Sequence, residues 1–523
     1  MRHIYILILF ISFTVYKSQV PSIQWSKYIG GTQHEVIHDM KITSDGGYVF
    51  AGKTYSLYIG NIFMNHHGNT TRADFWILKT DSSGNIQWTK SFGGSEHDIA
   101  YSVQQTPDGG FILAGTSESN NGDVTDHKGF SGSSDSWVLK LDSSGNVQWK
   151  KSFGGVLSDY TSAVILTADG NYLIAGSSYS NDGDLSGHHG SLSYTDGWLM
   201  KIDTNGNVLW SRSYGGGSHD MIKDVKHTSD GGYIIAADSY SNDGDIPSGH
   251  HGDIYTSDIW IVKTDINGNI QWQKSVGGSN NEKAGSVEIT PDGGLILAGE
   301  SSSGDGDVSF HFGVTQPYPA PDFWLVKTDV SGNIQWEKSY GGTGSDIAMS
   351  AKPALDGGYI IAGDSSSTDG DVTEHFGGDG YDYWTLKVNA TGNIIWQKSL
   401  GGINSDNATD IYEVSNGYVV AGSSTSNSQN VYDLLLYKLS NVVLSIGESA
   451  VVHSVSVYPN PSRDIVYFSE QLKEIEVYSV DGKLLMKIAS AKTIDLSLMA
   501  HGEYLLKGYT SNNQVFTKKL IKR

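Results

Sequence analysis

One acidic position returns in every unit of a repeated sequence. Each carboxylate ends the pattern Gly-Gly-x-x-x-Asp/Glu, as in Gly93 to Asp98. The seven positions are Glu35, Asp98, Asp159, Asp220, Glu282, Asp346 and Asp406. Such a side chain can accept backbone N–H groups and fix its own glycine-rich loop, or hold a cation or basic ligand. Seven like charges close together would repel one another, which favours the structural role.

A second repeated motif joins aspartate and glycine to histidine. It occurs as Gly122-Asp123 with His127, Asp182-Gly183-Asp184 with His188 and His189, Asp243-Gly244-Asp245 with His250 and His251, Asp305-Gly306-Asp307 with His311, and Asp369-Gly370-Asp371 with His375. The first unit keeps only His66 and His67, and the seventh keeps neither residue type.

Asp-Gly-Asp can supply oxygen ligands to calcium, which takes six to eight of them. The predicted calcium ligands are Asp182, Asp184, Asp243, Asp245, Asp305, Asp307, Asp369 and Asp371. The motif lacks the spaced acids and closing glutamate of an EF-hand, so an Asx turn that shapes the loop is the alternative. Histidines spread over separate units favour loop packing over a shared zinc or copper site. No other cofactor is implied.

No catalytic constellation stands out. The sequence has no Gly-x-Ser-x-Gly elbow, no phosphate-binding loop ending in Gly-Lys-Ser/Thr and no His-Glu-x-x-His. A carboxylate pair for glycoside cleavage cannot be singled out when every unit offers the same set. Two loop insertions break the repeat, Ser56 to Arg72 and Val314 to Pro321, and we expect them to form contact surface. The pattern predicts a protein without catalysis.

The elements that position these residues follow from the phrase DSSGNIQWTKSFGG at Asp81 to Gly94. It predicts a hairpin in which Gly84 and Asn85 take positive φ and a half-buried strand follows. Its tryptophan recurs at positions 25, 88, 149, 210, 272, 336 and 396, a period of 60 to 64 residues. A period of this size indicates a repeat architecture.

Each unit contains four strand-like segments, which we name A, B, C and D. In the second unit they are Ile99 to Gln105, Phe111 to Ala114, Trp137 to Leu141 and Val147 to Ser152. The chain opens with a lone D segment, Ile23 to Trp25, and its seventh unit stops after C. We therefore predict an all-β, seven-bladed β-propeller over residues 19–440, closed by the N-terminal strand, and a solenoid is the alternative.

Composition narrows the class of partner and the compartment. A net charge of -22 argues against nucleic acid, and the absence of cysteine excludes disulfides and thiolate chemistry. Residues 1–18 place Arg2 and His3 before an apolar run and predict a signal peptide cut near Ser18 and Gln19. There is no second apolar run of membrane length, so no transmembrane segment is predicted.

The last part of the chain differs in composition. Residues 441–453 are predicted to be a linker, and residues 454–523 a separate domain. From 450 to 523 there are 10 basic and 7 acidic residues, a charge of +3 that contrasts with the acidic repeat. Six segments predict a small antiparallel β-sandwich: Val455 to Tyr458, Ile465 to Phe468, Glu474 to Tyr478, Leu484 to Ile488, Tyr504 to Gly508 and Val515 to Leu520.

Specific residues of this domain carry a family resemblance. They are Tyr458, Pro459, Asn460, Pro461, Asp481, Gly482, Lys483, Gly502 and Tyr504, with a basic end at Lys518 to Arg523. In order and spacing they resemble the type A C-terminal sorting domain of the type IX (Por) secretion system. The resemblance implies passage through the periplasm, recognition by an outer-membrane translocon, and removal by a sortase-like peptidase. The expected location is extracellular or on the outer-membrane surface.

Three functions remain open from the sequence. The first is a secreted binding, adhesion or scaffold module for a glycan or protein. The second is an extracellular hydrolase or lyase that acts on polysaccharide or protein at the carboxylate-rich mouth. The third is a structural surface protein without a small ligand.

Overall fold

The computed structural model describes residues 20–440 and 455–523, apart from 131, 247–249, 254, 314–318, 379, 428–430, 456, 459, 480–482 and 511–514. The described residues form strands, turns and loops and contain no helix. The chain divides into two compact units, which meet in sequence at Val443 and Leu444. The predicted signal peptide and the predicted linker at 441–453 lie outside the described residues.

The first unit contains seven sheets of four antiparallel strands each. Strand A spans Glu35–Ile42, Asp98–Gln105, Asp159–Leu166, Asp220–His227, Glu282–Ile289, Asp346–Pro353 and Asp406–Val414. Strand B spans Tyr48–Thr54, Phe111–Ser117, Tyr172–Ser178, Tyr233–Ser239, Leu295–Ser301, Tyr359–Ser365 and Gly417–Ser424. Strand C spans Asp74–Thr80, Asp135–Leu141, Asp196–Ile202, Asp258–Thr264, Asp322–Thr328, Asp382–Val388 and Asp433–Ser440. Strand D spans Ile86–Phe92, Val147–Phe153, Val208–Tyr214, Ile270–Val276, Ile334–Tyr340, Ile394–Leu400 and, for the last sheet, Ile23–Ile29.

The sheets form a closed ring. Each strand A contacts strand A of the next sheet, and the strand A of the seventh sheet contacts that of the first. The N-terminal strand Ile23–Ile29 pairs antiparallel with Asp433–Ser440, and Ser440 donates its backbone N–H to Ser22 O at 2.8 Å. The all-β propeller fold is confirmed, and closure uses the strand that the sequence predicts.

Strands B and C are buried on both faces because each sheet packs against both of its neighbours. Strand C of the first six sheets has a tryptophan at its third position, and all six are fully buried: Trp76, Trp137, Trp198, Trp260, Trp324 and Trp384. Each apolar cluster joins residues of adjacent sheets, for example Phe75 of the first and Trp137 of the second. Apolar packing between sheets therefore holds the ring together.

Antiparallel order places the connections at two opposite ends of the sheets. We call the end with the D-to-A connections (such as 93–97) and B-to-C connections (such as 118–134) the loop face. The end with the A-to-B turns (such as 106–110) and the C-to-D hairpins (such as 142–146) is the turn face. The insertion Ser56 to Arg72 lies on the loop face and forms a short hairpin of its own, Tyr58–Ile59 with Ile62–Phe63.

The C-to-D hairpin differs from the two-residue turn that the sequence suggests. Gly84 has a φ of 72°, whereas Asn85 donates its backbone N–H and its side-chain amide to Asp81 at 2.8 and 2.9 Å. Glycine is required for a second reason, because a β-carbon on Gly145 would lie 2.8 Å from the Trp88 ring of the preceding sheet. The repeated tryptophan of strand D therefore covers the hairpin of the next sheet.

Buried lysines on strand C reach aspartates of the A-to-B turns on the turn face. The pairs are Lys79 and Asp45, Lys140 and Asp108, Lys201 and Asp169, Lys263 and Asp230, Lys327 and Asp292, and Lys387 and Asp356, at 2.8 to 3.0 Å. The seventh sheet breaks the series, because the buried Lys438 Nζ has no hydrogen-bond partner among the described residues. Burial lowers the pKa of Lys438 to about 8.

Replacing Lys438 with methionine is expected to stabilise the protein. Methionine keeps the length of the side chain and removes an unpaired buried charge, so the free energy of unfolding should rise by about 1 to 2 kcal/mol. The gain should be full below pH 8, where Lys438 is charged in both the folded and the unfolded state. It should shrink toward pH 10.5, because Lys438 is then neutral in the folded state. Chemical denaturation at pH 7 and pH 10 measures both effects.

The matched control is Lys327→Met, which removes a paired lysine and leaves Asp292 alone. It should lower the free energy of unfolding, and equal effects of the two substitutions would contradict this account of Lys438.

The second unit is a five-stranded antiparallel sheet. Its strands are Val457–Tyr458, Ile465–Ser479, Leu484–Asp495, Gly502–Thr510 and Val515–Lys522. Two segments that the sequence separates, 465–468 and 474–478, belong to one strand whose register shifts between Tyr467 and Leu472. Its first half pairs with Val457–Tyr458 and its second half pairs with Gly502–Thr510. The two halves of this strand therefore have different neighbours in the sheet.

Candidate functional site

The seven repeated carboxylates are buried at the start of strand A. All of them are fully shielded from solvent. Each accepts the backbone N–H of the second glycine of its pattern, and Gly94 donates to Asp98 Oδ2 at 2.7 Å. The same contact is made to Glu35, Asp159, Asp220, Glu282, Asp346 and Asp406 at 2.6 to 2.9 Å. The predicted role in fixing the glycine-rich loop agrees with this geometry.

Hydroxyl groups from the end of strand B complete the shell around each carboxylate. In the second sheet Ser117 and Ser119 donate to Asp98, the latter at 2.9 Å. Burial raises the pKa of Asp98 to about 7 against the lowering effect of these hydrogen bonds, and the charge of Asp74 adds to the rise. Each carboxylate thus ties a D-to-A connection to the beginning of a B-to-C connection.

A second buried carboxylate, which the sequence analysis missed, opens strand C of every sheet. These residues are Asp74, Asp135, Asp196, Asp258, Asp322, Asp382 and Asp433. A β-carbon on Gly93 would lie 2.5 Å from Asp74 Oδ1 and 2.6 Å from Asp98 Oδ2, so both carboxyl groups contact this glycine. The available signal was an aspartate two residues before the strand C tryptophan in six units.

The two carboxyl groups form a pair in each sheet. Burial raises the pKa of Asp433 to about 6, with a hydrogen bond from Glu35 acting in the opposite direction. Burial likewise raises the pKa of Glu35 to about 7. Because two buried charges this close repel, we interpret the pair of Glu35 and Asp433 as sharing one proton near neutral pH.

The first histidine of the predicted motif lies beside the strand C aspartate. The Nδ1 to Oδ2 distances are His66–Asp74 3.2 Å, His127–Asp135 3.1 Å, His188–Asp196 4.0 Å, His250–Asp258 3.6 Å, His311–Asp322 3.8 Å and His375–Asp382 2.9 Å. In four sheets the other ring nitrogen faces a backbone carbonyl of the same loop. Each histidine therefore shapes the loop of its own sheet.

The aspartates of the Asp-Gly-Asp motif make backbone contacts across the loop face. The first aspartate accepts an N–H of the D-to-A connection, as Asp305 Oδ1 does from Ser279 at 2.8 Å; Asp182, Asp243 and Asp369 do the same. The second aspartate, for example Asp307, donates its N–H to Gly277 O at 2.8 Å; Asp184, Asp245 and Asp371 match it.

Calcium binding at these loops stays a prediction. Among the described residues, no group of three aspartate, glutamate or histidine side chains is placed to hold one metal ion. Hydrogen bonds to the D-to-A connection, rather than the Asx turns that the sequence suggests, position the eight aspartates in this structure.

The central channel carries a charged network that the sequence analysis did not find. The strands A surround a cavity of about 120 Å³, lined by charged residues of five sheets. Lys352 Nζ lies 2.8 Å from Asp410 and 3.9 Å from Glu288, and Lys226 lies 3.4 Å from the same glutamate. A cavity of this size holds only a few water molecules. Ion pairs between sheets therefore narrow the channel.

The loop face also contains an open pocket between the third and fourth sheets. Its volume is about 470 Å³, and its walls include Tyr194, His219, Tyr240 and Tyr255. Tyr194 comes from the B-to-C connection of the third sheet, whereas the other three come from connections of the fourth. The predicted contact insertions lie elsewhere: Ser56 to Arg72 belongs to the first sheet, and residues 314–318 of the other lie outside the described residues.

Three comparisons relate the chain to known proteins. Residues 456–523 match the model of the secretion system C-terminal sorting domain. A regulatory protein, FlaEY of Caulobacter vibrioides, is 24% identical over 192 residues, which are 35% of this chain and 20% of that protein. The alignment thus spans about a fifth of the length of that relative.

Several solved structures resemble the chain at low identity. An ulvan lyase shares 9% identity with a TM-score of 0.45, over 82% of this chain and 96% of the lyase. The WD40 domain of Neurospora crassa Pan2 shares 11% with a TM-score of 0.42, over 77% and 89%. A Dyadobacter fermentans protein of unknown function shares 12% with a TM-score of 0.39, over 80% and 99%.

The family match at the C-terminus decides the export route. This chain is a cargo protein of the type IX secretion system. It therefore interacts with that system and is exported to the extracellular space or the outer-membrane surface. No helix in the described residues is of a length and apolarity suited to crossing a bilayer.

Several residues of the predicted sorting signal have defined contacts. Tyr458 stacks on Tyr467 with the ring centroids 6.0 Å apart. Asn460 donates to Lys519 O and accepts from the N–H of Ile521, which fixes the first turn against the last strand. Tyr504 donates to Ala500 O, Gly502 begins its strand, and Lys483 donates its N–H to Ser479. Pro461 follows Asn460, whereas Pro459, Asp481 and Gly482 lie outside the described residues.

The carboxyl pairs predict a stability that falls as the pH rises from 6 to 8. A carboxyl group whose pKa is near 7 in the folded state and near 4 in the unfolded state holds an extra proton on folding. Its stabilising contribution is full below pH 4 and is lost as the pH passes 7. Thermal unfolding of the full chain between pH 6 and pH 8 measures the slope.

The control variant is Asp98→Asn, whose amide cannot titrate. It should reduce the slope of the unfolding midpoint against pH, and a midpoint that rises from pH 6 to pH 8 in the unmodified chain would contradict the raised pKa values of the buried carboxyl groups.

Calcium at the Asp-Gly-Asp loops would raise the unfolding temperature. An ion that binds only the folded state adds about 2.7 kcal/mol at a hundredfold excess over its dissociation constant. The measurement compares thermal unfolding in calcium and in chelator, with Asp305→Asn/Asp307→Asn to locate the effect. Equal midpoints in calcium and chelator would mean that the aspartates only hold the loops through their hydrogen bonds to the D-to-A connections.

Proposed function

We propose that this exported propeller is a binding module without catalysis, whose loop face recognises a glycan or a protein outside the cell. The observation that carries the proposal is the distribution of exposed aromatic side chains. In the described part of the ring, every exposed aromatic residue except Tyr28 lies in or next to a loop-face connection. These residues are Tyr58, Phe63, Phe130, Tyr160, Tyr194, Tyr255, Phe310 and Phe376.

The two faces of the ring differ in a way that supports recognition at one of them. The turn face repeats the same lysine–aspartate pair and hairpin in nearly every sheet. On the loop face, buried carboxyl pairs hold the bases of the connections, while their tips vary from sheet to sheet. Exposed aromatic residues on loops held by a rigid scaffold are typical of recognition surfaces.

The repeated carboxyl groups support binding over catalysis. A hydrolase or lyase needs its acid and base within reach of the substrate. The strand A and strand C carboxyl groups are buried and accept hydrogen bonds from backbone N–H groups of the loops, so they serve the conformation of the loops. The hydrolase or lyase alternative therefore has no support from the carboxylates that suggested it.

We also propose that the sorting domain is recognised by the outer-membrane translocon and that a sortase-like peptidase cleaves in the segment 441–453. Release of the propeller or its attachment to the surface would follow this cut.

The binding proposal is tested with the full chain lacking residues 1–18. The chain is titrated onto insoluble polysaccharides and onto immobilised extracellular matrix proteins, and both bound protein and released soluble product are measured. Saturable binding without release is expected. Turnover of a substrate, or no binding to any of these surfaces, would overturn the proposal.

Matched variants locate the binding face. Phe63→Ser/Phe130→Ser/Tyr255→Ser removes three loop-face residues and should weaken binding at least tenfold, which is about 1.4 kcal/mol. Ile266→Ser/Val330→Ser/Leu355→Ser removes three exposed apolar residues of the turn face and should leave binding unchanged. The reverse result would place recognition on the turn face.

A further inference from the structure

The pocket between the third and fourth sheets combines three tyrosines with neutral and acidic polar groups. Its volume of about 470 Å³ lies within the range of about 300 to 1,000 Å³ that small-molecule sites occupy. Tyr255 is 78% exposed and Tyr194 40% exposed, so their rings face solvent. Asn242 and Asp243 add an amide and a carboxylate to the same wall.

The polar clusters of the loop face position the pocket walls. His188, which lies beside Asp196, has Nε2 3.0 Å from Tyr194 O and so holds the third-sheet wall. In the fourth sheet, the Tyr255 N–H donates to Asp253 Oδ1 at 2.8 Å, and His250 Nε2 lies 3.2 Å from Asp253 O. The backbones of Tyr194 and Tyr255 are therefore held in place before any ligand arrives, which limits the entropy lost on binding.

The floor of the pocket offers a hydrogen-bond donor of defined orientation. Thr195 donates its backbone N–H to His219 Nδ1 at 3.1 Å, so the proton of the neutral ring resides on Nε2. The His219 ring packs edge-on against Tyr194 and Tyr240, at centroid distances of 5.0 and 6.4 Å. The donor is thus fixed between two aromatic walls.

Gly217 leaves space between the pocket and the Asp243 carboxylate. Gly217 stands where the other units have larger residues, among them Ser95 and Val156. Asp243 Oδ1 accepts the Gly217 N–H at 2.6 Å, and a β-carbon on Gly217 would lie 3.0 Å from Asp243 Oδ2. The absence of a side chain at this position leaves the second carboxylate oxygen accessible as an acceptor.

We infer that this pocket is a binding site for an uncharged saccharide, an inference that rests on the proposed binding function and names its ligand class. The apolar face of a sugar ring packs on tyrosine, whose ring is a rigid surface with a polar tip. Sugar hydroxyl groups match the Asp243 acceptor, the Asn242 amide and the His219 donor. Among the described residues that line the pocket there is no lysine or arginine, which disfavours an anionic glycan.

Soluble polysaccharides test the inference directly. The full chain lacking residues 1–18 is run in affinity electrophoresis against laminarin, xyloglucan and galactomannan, with alginate as the anionic comparison, and dissociation constants are measured by calorimetry. At least one neutral polysaccharide should retard the protein, and alginate should not. Retardation by alginate alone, binding of protein surfaces alone, or no retardation would overturn the saccharide assignment.

Two variants and a control locate the site. Gly217→Val introduces the residue found at the same position in the third sheet and should fill the pocket, whereas Tyr255→Ala removes one wall; each should weaken binding at least tenfold. Tyr55→Ala is the control, because Tyr55 is a loop-face tyrosine outside the pocket. Its ring packs edge-on against His97 at 6.2 Å, as Tyr194 and Tyr240 pack against His219.

The outcomes separate the two proposals. If a neutral polysaccharide binds but Gly217→Val and Tyr255→Ala bind like the unmodified chain, the pocket assignment fails and the binding function stands. Unchanged unfolding temperatures for all three variants establish that weakened binding reflects the site. A variant that unfolds early is replaced by Gly217→Ser, which reproduces Ser95 and Ser279 and should weaken binding in the same direction.

Discussion

The loop face depends on one interaction, the acceptance of a glycine N–H by a buried carboxylate at the start of strand A. In the second sheet this contact joins Gly94 to Asp98 at 2.7 Å, and serine hydroxyls from the next connection bind the same carboxyl group. A buried carboxylate is tolerated only when such donors replace its water. The partner carboxyl on strand C and the adjacent histidine extend the contact to the whole B-to-C connection.

This arrangement separates the conformation of the loops from their surface chemistry. The bases of the connections use the same buried polar groups in nearly every sheet, so the tips can change without loss of the fold. The pocket illustrates the result, because Tyr194 belongs to one sheet and Tyr255 to the next. His188 lies against the Tyr194 carbonyl, and His250 lies against Asp253, which binds the Tyr255 N–H. A pocket with its own chemistry thus arises from changes at single loop positions, such as Gly217, while the buried polar contacts of the loops stay the same.

The sequence predicted the parts of the fold that follow from a local period. The tryptophan spacing located strands C and D, and the missing last strand identified the closing strand, because backbone pairing leaves few other partners for Ile23–Ile29. The seven strand A carboxylates and their loop role were also accessible, since each motif contains its own glycine donor. The strand C aspartates were missed because they occupy the first position of an apolar strand and look like strand ends.

The remaining features depend on contacts between units and left no local pattern. The residues at the channel positions differ from sheet to sheet. Lys352, Glu288 and Lys226 come close together only when the ring closes. The pocket likewise joins residues from two sheets. In the C-terminal domain, the segments 465–468 and 474–478 read as separate strands because polar residues lie between them, whereas the backbone pairing runs through both.

Ring closure also bears on the order in which this protein is made and exported. The first strand pairs with Asp433–Ser440, and Ser22 contacts Ser440, a residue 418 positions later in the chain. Contacts of such sequence separation form late in folding. A chain that stops before residue 433 lacks the partner of its first strand and also lacks the sorting domain that follows. An incomplete propeller therefore lacks the sorting domain for the type IX secretion system, so only a chain that contains every strand of the ring can use that route.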